Sequence, residues 1–191
     1  MISEHVLGTG PAALHVSGLG LGCMGMTYAY GAADEAESLR TLNRALELGI
    51  NFWDTSDSYG PNTNEELLAR AIPGDRSSVI IASKFGQEFR ADGTRGINGH
   101  PEYIRTALEG SLRRLGTDYI DLYQCHVGTP ENPEIFVEAF ELLKQQGKIR
   151  HYAISTNDLE ALKAINVEGN CAACQIDYSV LSRSAEKDIL P

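Results

Sequence analysis

No stretch of this 191-residue chain approaches the roughly 20 consecutive apolar residues that a transmembrane helix requires. Residues 1–25 also lack the charged start and apolar middle of a secretory signal. Cations are scarce: 16 lysines and arginines stand against 26 aspartates and glutamates, for a formal net charge of −10. That balance argues against nucleic acid or an anionic membrane surface as a partner. It leaves room for a small anionic cofactor, for which a few local cations suffice. Cysteine is sparse too. Four in a chain of this size do not make a disulfide framework, so the expected compartment is a reducing cytoplasm. Cys171 and Cys174 form a C-x-x-C without a second pair, and no metal or redox role is assigned to them. Cys23 and Cys125 read as small buried apolar side chains.

What is present is ordinary globular composition, with length enough for one sizeable core, and residues 1–191 are expected to form a single domain. The chain is organised around Gly49–Gly60, GINFWDTSDSYG. It reads as a helix-ending glycine, a short apolar strand that runs out at Asp54, and a polar loop carrying Asp57 and Tyr59. Trp53, next to Asp54, should face the opposite side of the strand and pack against helices. Asp57 reads as a loop residue that satisfies backbone amides. Two later strands end in the same manner, VIIASK on Lys84 and YIDLYQCH on His126. An acid, a base and an imidazole thus reach one rim, with a tyrosine beside them.

Around this stretch the chain alternates helix and strand. Residues 5–18 predict a small hairpin with Gly8, Gly10 and Pro11 at its turn. The next run, LGLGCMGM, contains the G-x-G-x-x-G of Gly20, Gly22 and Gly25, but no helix opens at its third glycine. A strand that a ligand approaches closely is the better reading. Helices are expected from Asp34, with a D-x-x-E cap and a stripe of Leu39, Leu42, Ala45 and Leu46; from about Asn64; from Pro101; from Asn132-Pro133; and from about Asp158. Gly49, Gly116 and Gly147 close three of them. Strands are expected at Val79–Lys84, Tyr119–His126, Ile149–Ser155 and about Ala172–Tyr178. His100 and His151 read as structural. Arg90 and Arg95, among the glycines between Gln87 and Gly99, belong to a long loop on the rim, a candidate substrate wall. This alternation implies right-handed βαβ units and a parallel sheet. A site drawn from four successive strand ends favours a (β/α)₈ barrel over an open doubly wound sheet, although only about six units are present.

The segments GINFWDTSDSYG, IIASKFG, SLRRLGTDYIDLYQCH, IRHYAIST and CQIDYSVLSR are similar to the aldo-keto reductase family in its bacterial branch, over roughly Gly18 to Pro191. The resemblance implies an NADP(H)-dependent carbonyl reductase on a (β/α)₈ barrel acting on a small-molecule carbonyl substrate. Its catalytic Asp, Tyr, Lys and His map onto Asp54, Tyr59, Lys84 and His126. Contacts to the nicotinamide carboxamide map onto Ser155 and Gln175. The asparagine that usually follows the serine is Thr156 here, with Asn157 one place later. The cofactor is further expected to meet Gly22, Met24 and Asp54.

Reduction of a carbonyl needs a proton donor for the developing alkoxide. Tyr59 is the expected donor, Lys84 the cation that lowers its pKa, Asp54 the group that aims Lys84, and His126 a hydrogen-bond donor to the substrate oxygen. An eight-fold barrel typically takes ~250 residues. This chain is therefore expected to be a truncated barrel, ending a few residues into a sixth helix at about Ala185–Leu190, without the parts that grip the rest of the cofactor. The alternative is a catalytically inactive barrel fragment that serves as a binding or assembly module and self-associates through open sheet edges.

Overall fold

A computed structural model describes residues 2–10, 13–89 and 94–190. Two antiparallel strands, β1 (Glu4–Leu7) and β2 (Leu14–Ser17), form the expected N-terminal hairpin, with Pro11 outside the described residues. Six parallel strands follow: β3 (Gly20–Gly22), β4 (Phe52–Asp54), β5 (Ile80–Phe85), β8 (Ile120–Cys125), β9 (Ile149–Ser155) and β10 (Cys171–Gln175). They pair in the order β10-β9-β8-β5-β4-β3, a curled half-barrel with β3 and β10 as its edges. The intervening β6 (Gln87–Phe89) and β7 (Arg95–Ile97) pair with each other. The stretch expected as a long loop thus carries a short antiparallel ladder. Arg90 lies outside the described residues, and of Arg95 only the backbone is described. The last sheet strand is shorter than expected and stops at Gln175, leaving Tyr178 half exposed beyond it.

The helices are α1 (Glu35–Glu47), α2 (Thr63–Ala71), α3 (Pro101–Leu115), α4 (Pro133–Gln145), α5 (Leu159–Ile165) and the short α6 (Ala185–Asp188). Asp34 caps α1 by accepting the Glu37 amide at 2.8 Å. Glu37 turns its carboxylate to Arg40 and not back to Asp34, so half of the capping box forms. Pro101 opens α3 as its first residue, with the His100 side chain accepting the Glu102 amide. Gly49, Gly116 and Gly147 all have positive φ at the helix ends, as expected.

Strand alternation sorts side chains into two layers. Trp53, Ile81, Phe85, Tyr123, Cys125, Tyr152 and Ile154 face the helices, where they meet Leu42, Leu68, Ile104, Leu108 and Phe140. An aromatic stack runs through this layer, Phe85 on Tyr123 at 4.7 Å and Phe140 on Tyr152 at 4.8 Å between ring centroids. On the concave side Ile80, Ala82, Leu122 and Ala153 are covered by Leu14 and Val16 of the hairpin. Asn51 ties the hairpin to the sheet: its Oδ1 accepts the Ser17 amide, and its own amide donates to Ser17 Oγ. Gly8 adopts φ +75°, and a Cβ there would lie 2.7 Å from the His151 ring. The hairpin therefore sits flush on β9 only with glycine at this position.

One ion pair crosses the helical layer. Glu65 of α2, fully buried, accepts Ser83 Oγ of β5 at 2.6 Å and Arg114 Nε of α3 at 2.7 Å. Removing the cation would strand a buried carboxylate. Arg114→Leu is expected to lower unfolding free energy by about 3–5 kcal/mol in urea denaturation. A loss under about 1 kcal/mol would mean that the pair does not bind these elements together.

Candidate active site

Three of the four residues assigned from the resemblance lie at or next to the carboxyl ends of strands in the sheet, where a curled parallel sheet presents its loops. Asp54 ends β4, Lys84 stands one residue before the end of β5, and His126 follows β8. Tyr59 reaches them from the loop after β4. That loop is pinned by Thr55 N donating to Ala82 O at 2.8 Å and Asp57 N to Lys84 O at 3.2 Å. Asn64 holds its far side, accepting from Thr55 Oγ1 and donating to Cys23 O and Thr27 Oγ1.

Lys84, 1 % exposed, is the centre. Its Nζ donates to Asp54 Oδ1 at 2.5 Å, to Thr55 O at 2.9 Å and to Tyr59 Oη at 3.2 Å. Three partners use the three protons of an ammonium. Since Lys84 can only donate, the Tyr59 oxygen accepts, and the phenol's own proton is left pointing elsewhere. The His126 ring meets the Tyr59 ring edge to face, with centroids 6.1 Å apart. His126 Nδ1 lies 3.3 Å from Ser56 Oγ.

Burial governs the protonation states. It lifts the Tyr59 phenol above its ordinary range; Lys84 pulls it down by less, and Asp54 adds to the rise. Lys84 acts on this phenol in the expected direction, lowering its pKa, but desolvation outweighs the cation. The phenol stays protonated at neutral pH, the form a proton donor needs. Burial and then the Lys84 charge push His126 down to about 4, so its imidazole is neutral. Burial, followed by repulsion from Glu65, lifts Asp57 to about 7.

Sequence reasoning missed several parts. Gln124 donates to Asp54 Oδ2 at 3.2 Å and so fixes the second carboxylate oxygen. Alternation in YQCH could have found it, since Gln124 points opposite to Tyr123 and Cys125. Asp57 accepts a backbone hydrogen bond from Ser58, as a loop residue serving amides should, but its burial (8 % exposed) beside the Glu65–Arg114 pair was not foreseen.

Ser155 and Gln175 are register partners at the ends of β9 and β10. Thr156 has its hydroxyl engaged, donating to Gly128 O at 2.6 Å and accepting the Asp158 amide at 3.0 Å. Asn157 Oδ1 accepts the Asp177 amide at 3.0 Å. Between the sheet edges lies a cavity of about 340 Å³, bounded by Gly20 and Gly22 on one side and Cys174 and Gln175 on the other, with Asp54 and Gln124 on its wall. Met24 lies just past β3, in a 3₁₀ turn, and does not line this cavity. Burial raises Cys171 to about 11 and Cys23 and Cys125 to about 12, so these thiols stay protonated. No metal-ligating cluster occurs among the described residues.

Residues 18–191 match the Aldo/keto reductase family. The chain belongs to that family. An uncharacterized oxidoreductase of Bacillus subtilis, YqkF, is 40 % identical over 181 residues, which cover 93 % of this chain and 57 % of that protein. The holo form of an aldo-keto reductase from Bacillus halodurans superposes with a TM-score of 0.87 at 40 % identity, covering 98 % of this chain and 61 % of its own. An aldo-keto reductase from Klebsiella pneumoniae in complex with NADPH gives 0.77 at 32 % identity, with 93 % and 60 % covered. This family member thus spans about three fifths of the relatives it matches.

The two raised or lowered groups have opposite linkage. His126 takes up fewer protons folded than unfolded between about pH 4 and 6.5, so its burial costs stability as pH falls through that window. Asp57 holds its proton folded up to about 7 against 3.8 unfolded, so the stability it contributes is lost as pH rises through that window. Asp57→Asn should therefore gain about 2–3 kcal/mol relative to the parent between pH 5 and 8, read by denaturation at both values. A difference that does not change with pH would place the Asp57 pKa in the ordinary range.

Proposed function

We propose that this aldo/keto reductase carries the proton-transfer machinery of an NADP(H)-dependent oxidoreductase that reduces aldehyde or ketone carbonyls to alcohols, with Tyr59 as proton donor. One observation carries the reading: a buried ammonium bound at once to a carboxylate and to a phenol whose proton is uncommitted. An inactive binding or assembly module would have no use for that arrangement, and it is not favoured.

A substrate oxygen beside Tyr59 Oη and the His126 imidazole would accept two hydrogen bonds as negative charge develops on it. The neutral imidazole is a far weaker acid than a phenol, so His126 orients and Tyr59 transfers the proton. Lys84 then stabilises the phenolate left behind, while Asp54, held by Gln124, keeps Lys84 in place. Bound NADP(H) supplies the hydride. The residues fit its nicotinamide end, since Ser155 and Gln175 offer a hydroxyl and a carboxamide side by side, and Gly22 leaves open space where a side chain would stand. Asp54 borders the same cavity, while Thr156 follows Ser155 at the end of β9 and Met24 lies just past β3, where they would meet the cofactor's flanks. Relatives solved with NADPH and with NADP and acetate support the choice of cofactor. The four free thiols agree with a reducing cytoplasm, and no helix among the described residues is long and apolar enough to cross a membrane.

Tyr59→Phe should lower kcat for carbonyl reduction by about 10²–10⁴-fold with NADPH affinity largely kept. Lys84→Met should be nearly as severe, because it removes the one strong downward influence on the phenol and leaves Asp54 unpaired. Retention of more than about a tenth of kcat in Tyr59→Phe would remove that residue from the donor role.

The open edges β3 and β10 leave unpaired backbone, and Val180 and Leu181 beyond β10 are 86 % and 98 % exposed. The 191-residue chain alone should therefore self-associate and bind NADPH weakly. Light scattering with nucleotide-fluorescence titration checks both, and a compact monomer of micromolar affinity would count against the proposal.

A further inference from the structure

Behind His126 stands a short chain of hydroxyls in the loop after β4. Ser56 Oγ lies 3.3 Å from His126 Nδ1 and 2.9 Å from Ser58 Oγ, and it accepts the Ser58 amide at 3.2 Å. Both serines are buried, Ser56 completely. Their polar groups must be accounted for largely within the protein, Ser56 being wholly buried and Ser58 4 % exposed.

The accounting has one solution. Ser58 Oγ has Ser56 Oγ as its one hydrogen-bond partner among the described residues, so its proton goes to Ser56; the reverse would leave a buried O–H without an acceptor. A hydroxyl oxygen has two lone pairs. Those of Ser56 are then both taken, one by the Ser58 hydroxyl and one by the Ser58 amide. Ser56 Oγ has no lone pair left for a proton on His126 Nδ1. Asp57 Oδ1 at 3.3 Å and Lys84 O at 3.4 Å compete for the Ser56 proton, but neither frees a lone pair, so the result holds whichever accepts it. Nδ1 must be the bare nitrogen of the neutral ring.

We propose that Ser56 and Ser58 are positioning residues whose hydroxyls hold His126 in the tautomer protonated on Nε2, so that Nε2–H is the donor presented to the substrate oxygen. This rests on the reading of His126 as an orienting donor. It adds the device that decides which nitrogen donates, a choice set by the hydrogen bond that the other nitrogen makes. No bond is made or broken by either serine.

The test reads the tautomer directly. Long-range proton–nitrogen correlation spectra of ¹⁵N-histidine-labelled protein at pH 7 distinguish protonated from bare ring nitrogens, and His126→Gln identifies the signals. The parent should show His126 with a bare Nδ1 and a protonated Nε2. In Ser56→Ala and, independently, in Ser58→Ala, the Nδ1-protonated form should appear, and Ser56→Thr should restore the parent spectrum. With turnover, kcat should fall roughly 2- to 10-fold in the alanine variants while KM stays within about two-fold. A parent protein with Nδ1 protonated overturns the proposal. So does an unchanged Nε2–H spectrum in both alanine variants. The spectra need no substrate, so a parent that fails to reduce any carbonyl would sink the functional reading alone and leave the tautomer to be judged on its own signals.

Discussion

A lysine ammonium almost wholly removed from water has to be given back what hydration supplied. In this chain Lys84 recovers it from a carboxylate, a backbone carbonyl and a phenol, all from β4 and the loop that follows. Those partners are a structural necessity before they are a chemical opportunity. The ammonium draws Asp54, Thr55 and Tyr59 to one point, and the first part of the loop is held by main-chain bonds from Thr55 and Asp57 to β5. Gln124 from β8 closes the arrangement from the far side. Three neighbouring strands are thus locked in register by the demands of one charge.

That charge also shapes its neutral surroundings. The environment is dry enough that burial, and not the cation, sets the phenol's protonation, while the same cation adds to the suppression of the imidazole's. A site with one ion pair and two neutral donors suits a reaction in which negative charge appears on an oxygen only transiently. Asp57 illustrates the cost of the same dryness. It lies beside a carboxylate that already claims Arg114, and it keeps its proton to about 7.

Much of this was legible in the residues. That Asp54, Lys84 and His126 sit at or within a residue of strand ends follows from apolar runs that give way to polar residues there. Trp53 lies on the helix side because alternation requires it. Gly49, Gly116 and Gly147 end their helices in the left-handed conformation that glycine tolerates. What stayed hidden depends on neighbours distant in the chain. Glu65 looks like a surface residue of an amphipathic helix until Arg114, 49 residues later, turns toward it. The sign of the shift at Tyr59 could not be read either, because it is the difference between burial and a nearby charge. The hairpin of β6 and β7 was masked by glycines that suggested a loop.

The flush seat of Gly8 on the His151 ring has a consequence for the cavity inside the sheet. The hairpin is the floor of the half-barrel, and Leu7 from that floor reaches the cavity on whose wall Asp54 stands. A side chain at position 8 would press on the His151 ring and push the floor away from β9. One missing carbon atom at position 8 thus lets the floor close beneath the cavity that Asp54 borders.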